Sequence, residues 1–468
     1  MNKKTVSLGI CAIFTISAFA QRVESYAVTQ QNLWEKQRVE VSNNTTSQSI
    51  QLNKDDKAQE IKGIGGCFNE MGWDALQLLP LERQTRVIEA LFAPDGAAFD
   101  YCRMSIGAND FSMSYYSLDD TADDFGLQNF NITRDRYIII PYIKAAMEVN
   151  PSLRIWASPW TPPAWMKTNN HYASTPSEPY NGLPDDRAIA DYSTGFKMQH
   201  GYLNTYADYF VRFIKAYADE GINISAVCPQ NEPCSNQIFP SCKWRPEDLT
   251  YFVGKYLGPA FEKNNVDTDI IFGTINTSSP DYVRTAMSDA DASKYIKGAG
   301  FQWDGKKAIP FIHKEYPELM LMQTETECGD GHNSWDYAEY TWNLMRHYFT
   351  NGANTYHYWN MILPSPGVSP WGWNQNSLVS IDKATKEVTF NPEYYLMKQL
   401  SHNVRTGAYR LNTPAGSDML AFENPDGSVA ILMGNSSDNE NRVDIALDGK
   451  NYSTLLRPHS FTSITIKK

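Results

Sequence analysis

The sequence predicts an α/β fold: an eight-stranded (β/α)8 barrel with an attached small β-sandwich built from the N-terminal strands and the C-terminal segment. Three observations carry this expectation. Between residues 61 and 403, short apolar runs alternate with amphipathic helical stretches, the texture of repeated βα units. Those runs fall near 61–67, 101–107, 153–159, 223–230, 268–274, 296–302, 318–324 and 353–359, eight in all, the number that closes a parallel barrel. From 404 onward the chain turns to short strands and tight turns, as an antiparallel sandwich requires.

Taken in order, residues 1–20 read as a secretory signal. Lys3 and Lys4 give a positive start, Val6 to Phe19 is largely apolar, and Ala18-Phe19-Ala20 supplies small residues flanking a cut before Gln21. A secreted or periplasmic location follows as the expectation. The apolar stretch is short for a membrane span, and no other segment has eighteen uninterrupted apolar residues, so no stable membrane insertion is expected.

Residues 21–60 are polar and strand-like, with alternation in Arg38-Val39-Glu40-Val41. Such strands need partners, and they are expected to complete the sandwich. Over 61–403 the barrel helices include Glu82 to Phe92, Tyr202 to Glu220 and Tyr337 to Thr350, the last stopped by Gly352. A final helix spans Pro392 to Ser401. In 404–468, Asn424-Pro425-Asp426-Gly427 lies between two apolar runs and marks a hairpin, and Asp448-Gly449 marks another turn.

Composition narrows the function. With 468 residues, 42% hydrophobic and 20% charged, the chain can bury an ample core. A formal net charge of -12 lacks the basic footprint of a nucleic-acid binder. Aromatic residues reach 13%, with 12 Trp and 27 Tyr; their faces suit sugar rings, although large cores consume aromatics too. Cysteines are too sparse for a disulfide scaffold: Cys102 and Cys228 sit inside strand-like runs, while Cys234 and Cys242 flank one loop and could bridge in an oxidising compartment. No C-x-x-C or His-x-x-x-His spacing suggests zinc. Gly63-Ile64-Gly65-Gly66 lacks the spacing of a phosphate cradle. Neither metal nor cofactor is expected.

Two glutamates stand out. Glu232 follows the fourth apolar run and Glu325 the seventh. A carboxylate just past a buried strand is lifted to the barrel rim where active sites are built. Two carboxylates facing across a pocket can cleave a glycosidic bond. Strands four and seven are expected on opposite sides of the ring. Any single Glu reads better as a solvated loop residue, so the surroundings decide. Polar and aromatic clusters follow the other strands: Arg103 through Ser112, Ala157 through Lys167, Gln302-Trp303, Trp359-Asn360, and the Trp371-to-Asn376 loop. Core packing or loop capping explains each alone; their shared face makes them a candidate site.

These stretches resemble glycoside hydrolase family 30, the family of lysosomal glucosylceramidase and microbial β-1,6-glucanases. Gly63 to Gly66, Arg103 through Ser112, Ser158-Pro159-Trp160-Thr161-Pro162-Pro163, and Asn231-Glu232-Pro233 with Glu325 carry the likeness, which spans nearly the whole mature chain. The resemblance implies a retaining mechanism with Glu325 as nucleophile and Glu232 as acid/base. It implies that Asn231 binds the sugar 2-hydroxyl, that Asp110, Trp160, Trp359 and Asn376 hold the sugar, and that Arg103 beneath the pocket keeps a carboxylate charged. Gln302 and Trp303 join as candidate substrate contacts; strand six departs here from the glucosylceramidase pattern, which weakens transfer of a ceramide substrate. Thr324-Glu325-Thr326-Glu327 offers two glutamates on one side of an extended chain. A Thr precedes both; Glu325 is assigned because the apolar run stops there.

The expected activity is a secreted retaining β-glycosidase for β-linked glucose, an endo-β-1,6-glucanase, with a β-glucan or β-glucoside as partner. A glucosylceramidase-like exo-β-glucosidase is the alternative within the family. A non-catalytic carbohydrate-binding barrel is the rival class, and it has no need of a complete carboxylate pair.

Overall fold

The structure is a computed structural model that describes residues 22–46 and 48–467. The expected signal, residues 1–20, lies outside the described residues.

Eight parallel strands close a barrel: β1 (Gly63–Phe68), β2 (Tyr101–Ser105), β3 (Arg154–Ser158), β4 (Ile224–Val227), β5 (Asp269–Ile275), β6 (Ile296–Gln302), β7 (Met320–Glu325) and β8 (Thr355–Asn360). Every strand lies where an apolar run predicts one. The runs are continuous rather than alternating because helices cover the outer face and side chains fill the interior. Inside, Tyr101, Trp156, Ala226, Cys228, Ile271 and Met322 form one apolar plug. Trp156 Nε1 donates to His357 Nε2 at 2.9 Å across it, and burial pushes His357 down to about 3, so that ring stays neutral. This plug is the floor on which the site stands.

The helices Leu81–Phe92, His200–Asp219, Trp335–Thr350 and Pro392–Ser401 occupy the expected segments. One sandwich sheet has seven strands and draws on both termini: Arg22–Thr29 pairs with Ser460–Lys467, and Lys57–Glu60 pairs with Tyr409–Leu411. The second sheet has four strands, Glu40–Ser42, Lys450–Leu456, Asn441–Leu447 and Ile50–Gln51. Ile431, Ile445, Tyr452 and Ile464 pack in its core. Both hairpins form. Met419–Glu423 pairs antiparallel with Val429–Asn435, and Leu447 sits opposite Lys450 with Asp448 at φ 50° and Gly449 at φ 74° between them. Two left-handed residues are what a twist-matched two-residue hairpin needs.

Two expectations are corrected. Strands four and seven are not opposite: β5 and β6 alone separate them on the short way round. A three-stranded sheet, Ile362–Pro364, Val379–Ile381 and Val388–Phe390, follows β8 where only a loop is expected. Its strands are three residues long, too short for a periodic signal. It anchors both ends of the loop that carries Trp371 to Asn376.

Candidate active site

The C-terminal ends of the barrel strands open into a cavity of about 790 Å³ that Glu232, Glu325, Asp110, Trp160, Asn231 and Trp303 help to line. Glu325 is the last residue of β7, and its Cα pairs in register with Gln302, the last residue of β6, just past a bulge. A bulge re-aims the side chains that follow it. Glu232 is placed differently. β4 stops at Val227, and Cys228 to Asn231 run on irregularly before it. The segment is held by Asn231 N–H to Pro159 O (2.7 Å) and Glu232 N–H to Thr274 Oγ1 (3.0 Å). Glu232 itself has φ 46° and Trp303 φ 48°. Left-handed backbone is uncommon outside glycine and gathers at sites where the surroundings over-determine it.

One nitrogen ties the two carboxylates together. Gln302 Nε2 lies 3.2 Å from Glu232 Oε1 and 3.1 Å from Glu325 Oε2. The acceptor end of the same amide takes a hydrogen bond from Thr324 Oγ1 at 2.9 Å, which fixes the amide's orientation. A single donor reaching both keeps these two oxygens no more than about two hydrogen-bond lengths apart, close enough for the two carboxyls to act on one bond.

Their electrostatics differ. Arg103 is fully buried and donates to Glu325 Oε2 (2.7 Å), Asn231 Oδ1 (2.6 Å) and Ser158 Oγ (2.9 Å). Its guanidinium also lies over Trp160 at 4.3 Å and Trp156 at 4.9 Å. Trp303 Nε1 adds a donor to Glu325 Oε1 at 3.3 Å. Glu232 has no salt bridge among the described residues. Burial first, and then the Glu325 charge, push Glu232 up to about 8. Burial also pushes Glu325 up, but the Arg103 charge and hydrogen bond oppose it. Pushing two neighbouring carboxyls apart in this way makes one an acid and the other a nucleophile at one pH.

The remaining candidates divide. Asn231 Oδ1 accepts from Arg103, Thr274 and Gln302, which leaves its Nδ2 to face a ligand. Trp160 stacks on Trp359 with ring centroids 5.0 Å apart. Asp110 Oδ1 and Trp359 Nε1 are buried without a partner. Burial, with the charges of Glu325 and Glu232 next, pushes Asp110 well above the usual carboxylate range. Asn376 is not at the cavity. It is fully buried, its Oδ1 accepting from Gly331 N–H (2.9 Å) and Asn333 N–H (3.0 Å) and its Nδ2 donating to Glu393 Oε1 (2.8 Å). The neighbouring Asn374 and Gln375 line the cavity instead.

Glu327 stands apart from Glu325. It is ion-paired to Lys306 and accepts from Tyr340 Oη at 2.5 Å, at the edge of the same cavity. Both glutamates are ion-paired, but only Glu325 shares a hydrogen-bond donor with Glu232. Cys234 and Cys242 are both free thiols. Among the described residues no three His, Cys, Asp or Glu side chains group as a metal site, and no helix is long and apolar enough to cross a membrane.

Sequence reasoning singles out the loops that carry Phe239 and Trp373 but not their contact, with ring centroids 4.7 Å apart, nor Asn276, which lines the same cavity. Asn276 directly follows β5, so the strand-end rule that found Arg103 could have found it too. The Phe239–Trp373 contact joins two loops and leaves no local signal.

Comparison with known proteins agrees with this geometry. A model described as the glycosyl hydrolase family 30 TIM-barrel domain matches residues 61–404, and one for that family's beta sandwich domain matches 407–464. The lysosomal acid glucosylceramidase of Mus musculus is 26% identical over 85% of this chain and 79% of its own length. The endo-1,6-beta-D-glucanase of Neurospora crassa is 26% identical over 90% of this chain and 88% of its own. A solved endo-beta1,6-glucanase superposes with a TM-score of 0.80 at 27% identity, covering 95% of this chain and 99% of that one.

Proposed function

The chain belongs to glycosyl hydrolase family 30, and from that premise we propose that it is a secreted retaining β-glycosidase that cleaves β-1,6-linked glucan internally. The observation that carries the retaining mechanism is the shared donor: Gln302 Nε2 spans both carboxylates while Arg103 pairs with Glu325 alone. Glu325, 6% exposed and with its carboxylate form favoured by Arg103, attacks the anomeric carbon and forms a covalent glycosyl-enzyme. Glu232, kept protonated by burial, gives its proton to the leaving oxygen and then takes one from the incoming water. The free Nδ2 of Asn231 meets the 2-hydroxyl, a contact that strengthens in the transition state.

The linkage rests on two supports. Curated and solved relatives that span most of the chain are endo-1,6-glucanases. Phe239 and Trp373 line the same cavity as the carboxylates, an aromatic surface suited to a further sugar ring. The glucosylceramidase relatives of similar identity favour exo-glucosidase action as the second reading. Secretion rests on the signal-like residues 1–20.

Hydrolysis of a β-1,6-glucan beside an aryl β-glucoside, with product sizes read by chromatography, separates these readings. Oligomers from the polymer are the expected result. Cleavage of the aryl glucoside with the polymer untouched would replace it with the exo reading, and cleavage of neither would favour a binding protein.

A further inference from the structure

Lys167 follows the short helical turn after β3, and its amine is buried with no carboxylate paired to it among the described residues. It donates to the carbonyl oxygens of Tyr172 (2.8 Å), Ala173 (3.1 Å) and Ser241 (2.6 Å), with the Ser174 hydroxyl at 3.4 Å. An ammonium carries three donors. Here they are shared among four oxygens from two loops, the one after β3 and the one after β4. Burying a cation without an acid partner is costly, and burial pushes Lys167 down to about 7. An apolar side chain in the same space would leave those carbonyls without this donor, so the hydrogen bonds are what the buried amine supplies.

Those bonds hold a wall of the cavity. Ser241 Oγ accepts from the Gln237 N–H at 3.1 Å and donates to the Gln237 carbonyl at 3.2 Å. The Ser174 and Thr175 N–H groups also donate to that carbonyl, each at 3.0 Å. Asn181 Nδ2 donates to the Ile238 carbonyl at 2.9 Å. Gln237, Ile238 and Phe239 line the cavity on the segment that leaves Glu232, the residue proposed to protonate the leaving group. The Gln237 side chain also reaches Glu232 and opposes its raised pKa. Lys167 touches none of the reacting atoms but pins the carbonyl scaffold behind all three.

We infer that Lys167 is a positioning residue that fixes the leaving-group wall, and so makes the enzyme selective for a glycan whose next sugar rests on that wall. The inference rests on the glucan-cleaving reading above. A substrate with a minimal leaving group, β-glucosyl fluoride, does not use the wall and needs no proton from Glu232.

The test compares wild type with Lys167→Met, which keeps the length and loses the donors. On β-1,6-linked gluco-oligosaccharides the variant is expected to lose about 10- to 100-fold in kcat/KM. The loss on β-glucosyl fluoride is expected to be at least tenfold smaller. Phe239→Ala, which leaves the clamp intact, is expected to show the same split between substrates. Amide hydrogen exchange without substrate is expected to speed up at 172–175 and 237–241 in Lys167→Met. Equal losses on both substrates, or unchanged exchange in those segments, would overturn the assignment. A wild type inert on both substrates sinks the glucosidase reading, and the exchange result alone then decides whether Lys167 holds the wall.

Discussion

Arg103 Nη1 lies 2.7 Å from Glu325 Oε2, and Glu325 is the only one of the two facing carboxylates that this buried guanidinium touches. The arrangement breaks the symmetry of two glutamates buried in one cavity. Arg103 also holds Asn231 Oδ1, so one side chain sets both the charge of the nucleophile and the aim of the amide beside the acid. Lysine cannot reproduce this fork. Arg103→Lys is expected to lower kcat/KM by about 100-fold or more and to move the acidic limb of its pH profile upward, because a point-charge ammonium no longer makes the guanidinium's short hydrogen bond to Glu325. An acidic limb that stayed in place would remove Arg103 as the group that keeps Glu325 ionised.

The choice between Glu325 and Glu327 is open to direct measurement. Glu325→Gln is expected to abolish turnover, by about 10⁴-fold or more, with the fold intact. Glu327→Gln should leave most of the activity, since that carboxylate is held by Lys306 and Tyr340 at the cavity edge. Azide added to Glu325→Ala should give a glucosyl azide of inverted anomeric configuration. Rescue of Glu327→Ala in place of Glu325→Ala would reverse the assignment.

Glu232 links activity to pH and to stability. Its folded pKa is raised to about 8, so as an acid it is competent below that value and activity falls as pH rises through it. Glu325 must be ionised, so activity falls again at low pH and the profile is bell-shaped. The stability sign follows from the same shift. A carboxyl whose folded pKa exceeds its unfolded one favours the fold at low pH, and that contribution is lost as pH rises toward about 8. Glutamine has no such dependence. Glu232→Gln should therefore be more stable than wild type at pH 7, by on the order of 3 kcal/mol, and lose that advantage near pH 4. Thermal melts at the two pH values check this; an equal Tm at both would show that Glu232 carries no raised pKa.

Trp359 offers a cleaner separation of binding from folding. Its Nε1 is buried and unpartnered, and its ring stacks on Trp160 at 5.0 Å. Removing an unsatisfied donor does not harm a free protein by lost hydrogen bonding, although the smaller ring leaves a gap. If the indole N–H serves a sugar hydroxyl, Trp359→Phe should lose about tenfold or more in kcat/KM while Tm falls by only a few degrees. A loss of stability without loss of kcat/KM would assign Trp359 to packing alone.

The barrel was legible because its strands are continuous apolar runs, and the same reading found Arg103 on β2, Gln302 on β6 and Glu325 on β7, though not Asn276 just past β5. Glu232 was legible only through its neighbours, since four irregular residues separate it from β4 and its left-handed backbone has no sequence mark. The Lys306–Glu327 pair and the Phe239–Trp373 contact were not legible at all. Each joins segments from different βα loops, and a contact across such a distance in sequence has no periodicity to read. The hydroxyl of Thr274 and the Pro159 carbonyl, which hold the Asn231-Glu232 turn, are invisible for the same reason.

Asn376 is where resemblance and geometry part. Its amide is consumed by Gly331 N–H, Asn333 N–H and Glu393 Oε1, and Gly329, at the start of the loop so held, lines the cavity. Burial pushes Glu393 up to about 7, so near neutral pH it carries a proton part of the time and glutamine is a close stand-in. A brace and a sugar contact fail differently. As a brace, Asn376→Ala should lose about 2–3 kcal/mol of stability, because two backbone donors and a buried carboxyl are left unpaired, with a secondary drop in kcat/KM. Glu393→Gln should be nearly silent alone and should couple to Asn376→Ala by less than about 0.5 kcal/mol, because glutamine keeps the oxygen that accepts from Asn376 Nδ2. Denaturant melts of the four proteins measure this coupling. An unchanged midpoint in Asn376→Ala with a large loss of kcat/KM would return Asn376 to the sugar.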